Sequence, residues 1–149
     1  MRVLEKAGVA YQLLTFPDTL HSAEAVADHL GLARAEVYKT LVVLRSAGGK
    51  HLLVMVAGDE NLNLKSLATA LGERKLRMAT HQEAERLTRL QVGGISALAL
   101  LNRGFEILID RAATGREQVV VSAGRRGLNL RLAVSDLMCA TGARVVDAT

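Results

Sequence analysis

The hydrophobic and polar positions of the chain change period several times, and these changes divide it into short strands and helices. Alternation and short β-branched runs predict strands, whereas apolar residues at helical spacing between a capping residue and a glycine predict helices. The predicted strands cover 11–16, 37–44, 52–56, 105–109, 119–121, 128–132 and 145–146. The predicted helices cover 23–30, 64–71, 80 to about 89, and 135–142.

Capping and turn residues mark the ends of these elements. The expected N-caps are Ser22, Asn63, Thr80 and Ser135, and the expected terminating glycines are Gly31, Gly72 and Gly142. A glycine pair at 48–49 indicates a hairpin. Strands outnumber helices and mostly follow one another, which favours an α+β fold with a mixed or antiparallel sheet. No repeat or linker divides the chain, so we expect one domain over residues 1–149.

Composition narrows the class of protein. Hydrophobic residues make up 50% of the chain but aromatic residues only 3%, so the core is expected to be aliphatic. The lone Cys139 excludes an internal disulfide and favours a reducing, cytoplasmic compartment. The first residues contain no apolar leader, and no apolar run approaches the length of a membrane span. We therefore expect a cytoplasmic protein without a membrane partner.

Charge is distributed unevenly along the chain. The formal net charge is +4, yet residues 74–131 contain eleven Lys or Arg and only five Asp or Glu. A basic half of this kind favours a polyanionic partner, although a solvated basic surface is an equally good interpretation of charge alone.

Lys39 is the most informative single residue. It stands near the start of a strand in which both faces become apolar after Thr40, as expected for a central strand. Partial burial of an ammonium is unfavourable unless an anion or acceptor meets it, which suggests a functional site. The alternative is that Lys39 extends along the end of the strand into solvent.

Two glycine-containing segments complete the candidate chemistry. The loop at 91–97 contains Gly93 and Gly94, whose backbone can approach a ligand and present N–H groups to it. The segment at 121–127 flanks Arg125 and Arg126 with small residues and can bind a phosphate. Taken alone, the loop at 91–97 is better explained as an ordinary turn, and the segment at 121–127 is equally consistent with a solvated hairpin.

Several other sites are excluded by their pattern. Ser96 lacks the second glycine of a nucleophile elbow, and the four histidines show no metal-ligand spacing. There is no phosphate-binding P-loop and no dinucleotide fingerprint. Cys139 is expected to be a buried, inert thiol, and Asp136 to be a first-turn helix acid. We therefore expect no metal and no cofactor.

Taken together and in order, the segments at 37–42, 62–65 with 71–72, 92–96, 121–128 and 135–137 resemble the YbaK family of aminoacyl-tRNA deacylases. This family is related to the editing domain of bacterial prolyl-tRNA synthetases. The resemblance implies a single compact α+β domain with a mixed, barrel-like sheet and packed helices. It implies hydrolysis of the ester between an amino acid and transfer RNA, with Cys or Ala on proline transfer RNA as the expected substrates.

The resemblance also implies roles for individual residues. Lys39 stands at the position of the family's critical lysine, and 93–97 at its G-x-x-x-P loop. The expected catalytic residues are Lys39, Gly93 and Gly94, and the expected substrate-binding residues are Ile95, Ser96, Ala97, Ser122, Gly124, Arg125, Arg126 and Asp136. The implied partner is the acceptor end of transfer RNA, with prolyl-tRNA synthetase as a candidate second partner.

One residue departs from the family pattern. Position 97 is Ala where the family loop ends in Pro, so the loop is either less rigid or shaped for another amino acid. A non-catalytic module that binds transfer RNA or a synthetase is the alternative function.

Overall fold

The computed structural model describes residues 1–149, and it contains eight strands and five α-helices. The strands are β1 (Tyr11–Thr15), β2 (Tyr38–Arg45), β3 (Leu52–Ala57), β4 (Leu76–Met78), β5 (Glu106–Asp110), β6 (Gln118–Arg125), β7 (Leu128–Ala133) and β8 (Arg144–Val146). The helices are α1 (Arg2–Lys6), α2 (Ala23–Leu30), α3 (Leu64–Leu71), α4 (His81–Thr88) and α5 (Val134–Thr141).

The strands form two sheets. The small sheet has the order β1-β7-β6 and is antiparallel throughout. The large sheet has the order β4-β2-β3-β5-β8, in which β3, β5 and β8 run parallel to one another. A single parallel bridge between Val37 and Val120 connects the sheets beside β2 and β6. The expected mixed-sheet α+β fold is confirmed, and β2 is a central strand between β4 and β3.

The main core is shared by the two sheets. Leu53 and Met55 of the large sheet and Leu130 and Leu132 of the small sheet belong to one cluster of buried side chains. The core is almost entirely aliphatic, as the composition predicts. Tyr38 is an exception, because its hydroxyl is buried without a hydrogen-bond partner. Burial raises the pKa of Tyr38 above its usual value.

Most of the predicted helix ends are confirmed. Ser22 accepts a hydrogen bond from the Ala25 N–H, Asn63 accepts one from Ser66, and Thr80 forms a reciprocal capping box with Glu83. Gly31, Gly72 and Gly142 adopt the left-handed conformation that ends a helix.

Three expectations about local structure are wrong. Ser135 is not a cap, because β7 leads directly into α5 and the extended Ala133 takes the N-cap position. Cys139 is exposed rather than buried. The predicted strand at 119–121 ends too early, because β6 continues to Arg125 through an irregularity between Ser122 and Arg125.

Two short elements, α1 and β4, were not predicted. None of the helices has both the length and the apolar character that spanning a membrane requires.

Candidate functional site

A cleft of about 230 Å³ lies beside the bridge that connects the two sheets. Residues of α2, β2, α4, β6 and β7 line it, together with the glycine loop, by which we mean residues 91–97. Its polar lining residues are His21, Ser22, Glu24, Lys39, Thr40, His81, Ser122 and Asn129. Segments that are far apart in the sequence meet at this cleft because β2 and β6 are neighbours at the Val37–Val120 bridge.

Lys39 contributes a half-buried ammonium to this cleft. Its only hydrogen bond is a long one, 3.4 Å from Nζ to the carbonyl oxygen of Gly58. The one carboxylate of the cleft, Glu24, is already paired with Arg34 at 2.9 Å. Lys39 therefore has no carboxylate partner in the protein, and its charge is available to an anionic ligand.

The glycine loop carries backbone donors that are not used within the protein. The N–H of Gly94 donates to the carbonyl oxygen of Gln91 at 2.8 Å, which corrects the expectation that Gly94 presents a free donor. The N–H groups of Gly93, Ile95, Ser96 and Ala97 have no protein acceptor. Buried N–H groups in proteins are nearly always paired, so this run of donors needs a ligand or water. Gly93 and Ile95 line the cleft directly.

Both glycines of the loop are required by close backbone packing. A Cβ at Gly94 would lie 2.8 Å from the backbone of Arg125 and Arg126. A Cβ at Gly93, where φ is +95°, would lie 3.0 Å from the Cα of His21. The loop is therefore held between the turn that connects β6 to β7 and the segment that precedes α2.

Asn129 is a site residue that sequence reasoning missed. It is only 5% exposed, and it lines the cleft. It lies opposite Ser122, whose hydroxyl accepts a long hydrogen bond from Gly124. The alternation of β7 places Asn129 with the polar Arg131, which suggests exposure. A regular hairpin that pairs Arg125 with Leu128 would place Ser122 opposite Arg131, and only the register shift between Ser122 and Arg125 brings Ser122 opposite Asn129.

A second depression, the polar basin, adjoins the cleft. It is lined by Phe16, Asp18, Thr19, His21, Gln91, Arg125, Arg126 and Gly127. His21 lines both spaces, so they are neighbours. Arg125 is exposed and belongs to no ion pair, whereas Arg126 is half-buried and its Nε donates to the carbonyl oxygen of Val92 at 2.7 Å.

The remaining predicted residues do not line the cleft. Ser96 is 1% exposed and its hydroxyl accepts the Ala99 N–H, while Ala97 is 3% exposed at the start of the 3-10 turn Leu98–Leu100. Gly124 has φ of +106° and packs against Ala99. Asp136 lies in the first turn of α5, outside both the cleft and the polar basin.

The cleft contains no side chain that is activated as a nucleophile. The two serines of the cleft, Ser22 and Ser122, accept hydrogen bonds from backbone N–H groups, and neither bonds to a histidine. His21 contacts the carbonyl oxygen of Asp18 instead. No group of histidine, cysteine and acidic side chains is arranged to hold a metal ion. The available groups are a cation, free backbone donors and a neutral amide.

Comparison with known proteins agrees with this arrangement. The chain is 31% identical over its full length to a protein of Enterococcus faecalis named "Putative Cys-tRNA(Pro)/Cys-tRNA(Cys) deacylase EbsC", of which it covers 91%. It is 32% identical, over 76% of its length, to the proline–tRNA ligase of Pelobacter propionicus, but it spans only 19% of that enzyme. The crystal structure of a hypothetical protein superposes with a TM-score of 0.89 at 31% identity, covering 99% of this chain and 96% of that one.

A family described as "Aminoacyl-tRNA editing domain" matches residues 18–139. The matched region contains the cleft, the glycine loop and every lining residue of the polar basin except Phe16. The chain therefore belongs to the aminoacyl-tRNA editing domain family.

Proposed function

We propose that this protein hydrolyses the ester that joins a wrongly attached amino acid to the terminal ribose of transfer RNA. The observation that carries the proposal is the pair of unpartnered N–H groups at Gly93 and Ile95 in the same cleft as the unpaired ammonium of Lys39. Together they form a site for negative charge that the protein itself does not fill. The family match supports the same reaction.

The chemical step in this proposal is attack by water on the ester carbonyl. The carbonyl oxygen takes up the negative charge, and preorganised N–H donors at Gly93 and Ile95 stabilise it. The bond to the ribose oxygen then breaks, and that oxygen takes up the proton that the attacking water releases and leaves as a hydroxyl group. The products are a free amino acid and an uncharged transfer RNA. No side-chain nucleophile is needed, because an aminoacyl ester is already activated.

Lys39 and Arg125 would hold the substrate by its charge. The ammonium of Lys39 is placed to contact either the terminal phosphate or the developing oxyanion. Arg125 lines the polar basin beside the cleft, where a phosphate of the acceptor end would lie. Asn129 and Ser122 would contact the amino acid itself, since they lie on the strands that line the cleft.

We propose Cys or Ala attached to proline transfer RNA as the substrate. A cleft of about 230 Å³ suits a small amino acid, and the name of the E. faecalis relative specifies cysteine. Small amino acids require proofreading because a synthetase rejects them weakly by exclusion alone. The proposed partner is the acceptor end of the transfer RNA, in the cytoplasm, with prolyl-tRNA synthetase as a second partner.

The test is the release of labelled amino acid from a panel of charged transfer RNAs. Cys- and Ala-charged proline transfer RNA should be deacylated, while Pro-charged transfer RNA serves as the matched control and should stay intact. Running each reaction with and without prolyl-tRNA synthetase shows whether that partner contributes. Binding without turnover on every charged transfer RNA would support the alternative of a non-catalytic module.

A further inference from the structure

Two charged side chains hold the peptide groups on either side of Val92. Its N–H donates to Oε2 of Glu85 at 2.8 Å, and its carbonyl oxygen accepts from Nε of Arg126 at 2.7 Å. Glu85 comes from α4 and Arg126 from the turn between β6 and β7. Neither side chain belongs to an ion pair, so each directs its charge at the backbone of Val92. Hydrogen bonds with one charged partner are about twice as strong as neutral ones.

These two hydrogen bonds, from Val92 to Glu85 and from Arg126 to Val92, are called the clamp. The clamp determines where the N–H of Gly93 points. In a trans peptide the C=O and N–H groups point in opposite directions. Because Arg126 fixes the carbonyl of Val92 toward the turn, the N–H of Gly93 points away from Arg126. Gly93 lines the cleft, and its N–H has no acceptor in the protein.

Without the clamp, this peptide group has an accessible alternative orientation. Gly93 has φ of +95°, and glycine adopts positive and negative φ about equally readily. A rotation of the peptide between Val92 and Gly93 would exchange the positions of the carbonyl and the N–H. The carbonyl oxygen would then face the substrate's oxyanion and repel it.

We propose that Glu85 and Arg126 are positioning residues that hold the glycine loop in the orientation needed for deacylation, and that Arg125 is the phosphate-binding arginine of the pair. This inference rests on the proposed deacylase function. It assigns different roles to the two arginines on the basis of their contacts. Arg126 donates a hydrogen bond to the glycine loop, and Arg125 is exposed in the polar basin.

Single-turnover and steady-state kinetics of four variants test whether Arg126 and Glu85 position the loop while Arg125 binds phosphate. Arg126→Ala and Glu85→Ala should lower kcat by at least about tenfold, as expected when an oxyanion donor is misplaced. Their KM should change by less than about threefold, because the ground-state contacts remain. Glu85→Gln should recover most of the activity, since its amide oxygen still accepts the Val92 N–H. Arg125→Ala is the matched control and should instead raise KM and reduce the salt dependence of binding.

Nuclear magnetic resonance of the free protein gives a readout that does not depend on turnover. The Overhauser effect between the Val92 Hα and the Gly93 amide reports the orientation of the peptide, and it should change in Arg126→Ala but not in Arg125→Ala. The clamp is overturned if this signal is the same in wild type and Arg126→Ala, or if Arg126→Ala raises KM at unchanged kcat. If the wild type is inactive on every charged transfer RNA while the signal changes as expected, the proposed function fails and the clamp stands.

Discussion

Gly94 lies so close to Arg125 that a Cβ at position 94 would be 2.8 Å from both the Cα and the carbonyl carbon of Arg125. Real Cβ atoms do not approach backbone atoms this closely, so only glycine fits without displacement of one segment. The glycine loop and the β6–β7 turn therefore share one packed backbone interface. This interface fixes the position of the unpartnered backbone donors of the cleft relative to the two arginines of the polar basin.

Gly94→Ala should disturb this interface. The added methyl group must push the loop away from backbone that cannot yield, at a cost of about 1–3 kcal/mol in the free energy of unfolding. Deacylation should fall by at least about tenfold, because the donors shift with the loop. Denaturant unfolding and single-turnover kinetics provide the two measurements.

Gly115→Ala is the matched control for this prediction. Nothing lies within 4 Å of a Cβ at position 115, and its φ is not in the left-handed region. Its stability and activity should match those of the wild type. Equal behaviour of the two alanine variants would contradict the rigid interface.

Lys39→Met should remove most of the deacylation and leave the fold intact. The side chain keeps its length but loses the ammonium, whose only hydrogen bond is the 3.4 Å one to the carbonyl oxygen of Gly58. Stability should therefore change by no more than about 0.5 kcal/mol. Lys39→Arg should also be impaired, because a planar guanidinium does not replace a compact ammonium.

Lys65→Met provides the comparison, since Lys65 is exposed on α3 and lies outside the cleft. Normal turnover by a folded Lys39→Met protein would show that the ammonium of Lys39 is not required for deacylation.

Much of the fold can be predicted from the sequence because most of its helices begin at a capping side chain and end at a glycine. Ser22, Asn63 and Thr80 each satisfy the backbone of the turn that follows them, and this requires no tertiary information. Elements α1 and β4 are too short for a periodic signal and depend on tertiary contacts, as in the pairing of β4 with the end of β2. Ser135 misleads because α5 begins directly from β7.

The candidate site is partly predictable for a related reason. Lys39 and Gly93 are unusual within their own segments, so the sequence identifies them, and both line the cleft. Asn129 looks like an ordinary outward-facing residue of an alternating strand, and its burial follows only from how the sheets meet. Asp136 lies in the first turn of α5, where an acid interacts favourably with the helix dipole without any ligand, and it lies outside the cleft.

Ala97→Pro should be tolerated and should raise turnover modestly. Ala97 has φ of −61°, which proline adopts. The Ala97 N–H makes no hydrogen bond within the protein, so none is lost when proline removes it. Restricting the unfolded chain should add about 0.4–1 kcal/mol of stability. Kinetics on Cys- and Ala-charged proline transfer RNA measure the effect. Lower activity with a changed preference between the two substrates would show instead that Ala97 shapes the amino-acid pocket.

Asn129→Leu should separate activity from stability. Leucine has a similar shape but no amide, so the packing around this mostly buried side chain is kept and stability should change little. Deacylation should fall because the contact with the amino acid is lost. Thermal unfolding and kinetics of the same preparation are the measurement. A less stable variant with unchanged kcat/KM would assign Asn129 to the core.

Glu83 predicts a specific loss of stability in acid. Hydrogen bonding to Arg77 and to the Thr80 backbone lowers the pKa of Glu83 to about 2. Because the folded-state pKa is below the ordinary value of 4.5, the stabilisation is complete above that pH and is lost as pH falls toward 2. Glu83→Gln should destabilise α4 at neutral pH, and its difference from wild type should vanish near pH 2. Glu117→Gln, at an exposed acid without an ion-pair partner, should show no such convergence.

The single Val37–Val120 bridge has a consequence for how this protein can diversify. Lys39 and Asn129 belong to different sheets, and away from that bridge the sheets are joined mainly by packing of side chains such as Met55 and Leu130. Packing of apolar side chains is non-directional, whereas hydrogen-bonded registers allow no intermediate positions. A change of core volume at Met55 or Leu130 can therefore alter the separation of Lys39 and Asn129 by fractions of an ångström. Selection for a larger or smaller amino acid has a route in which every residue that lines the cleft stays the same.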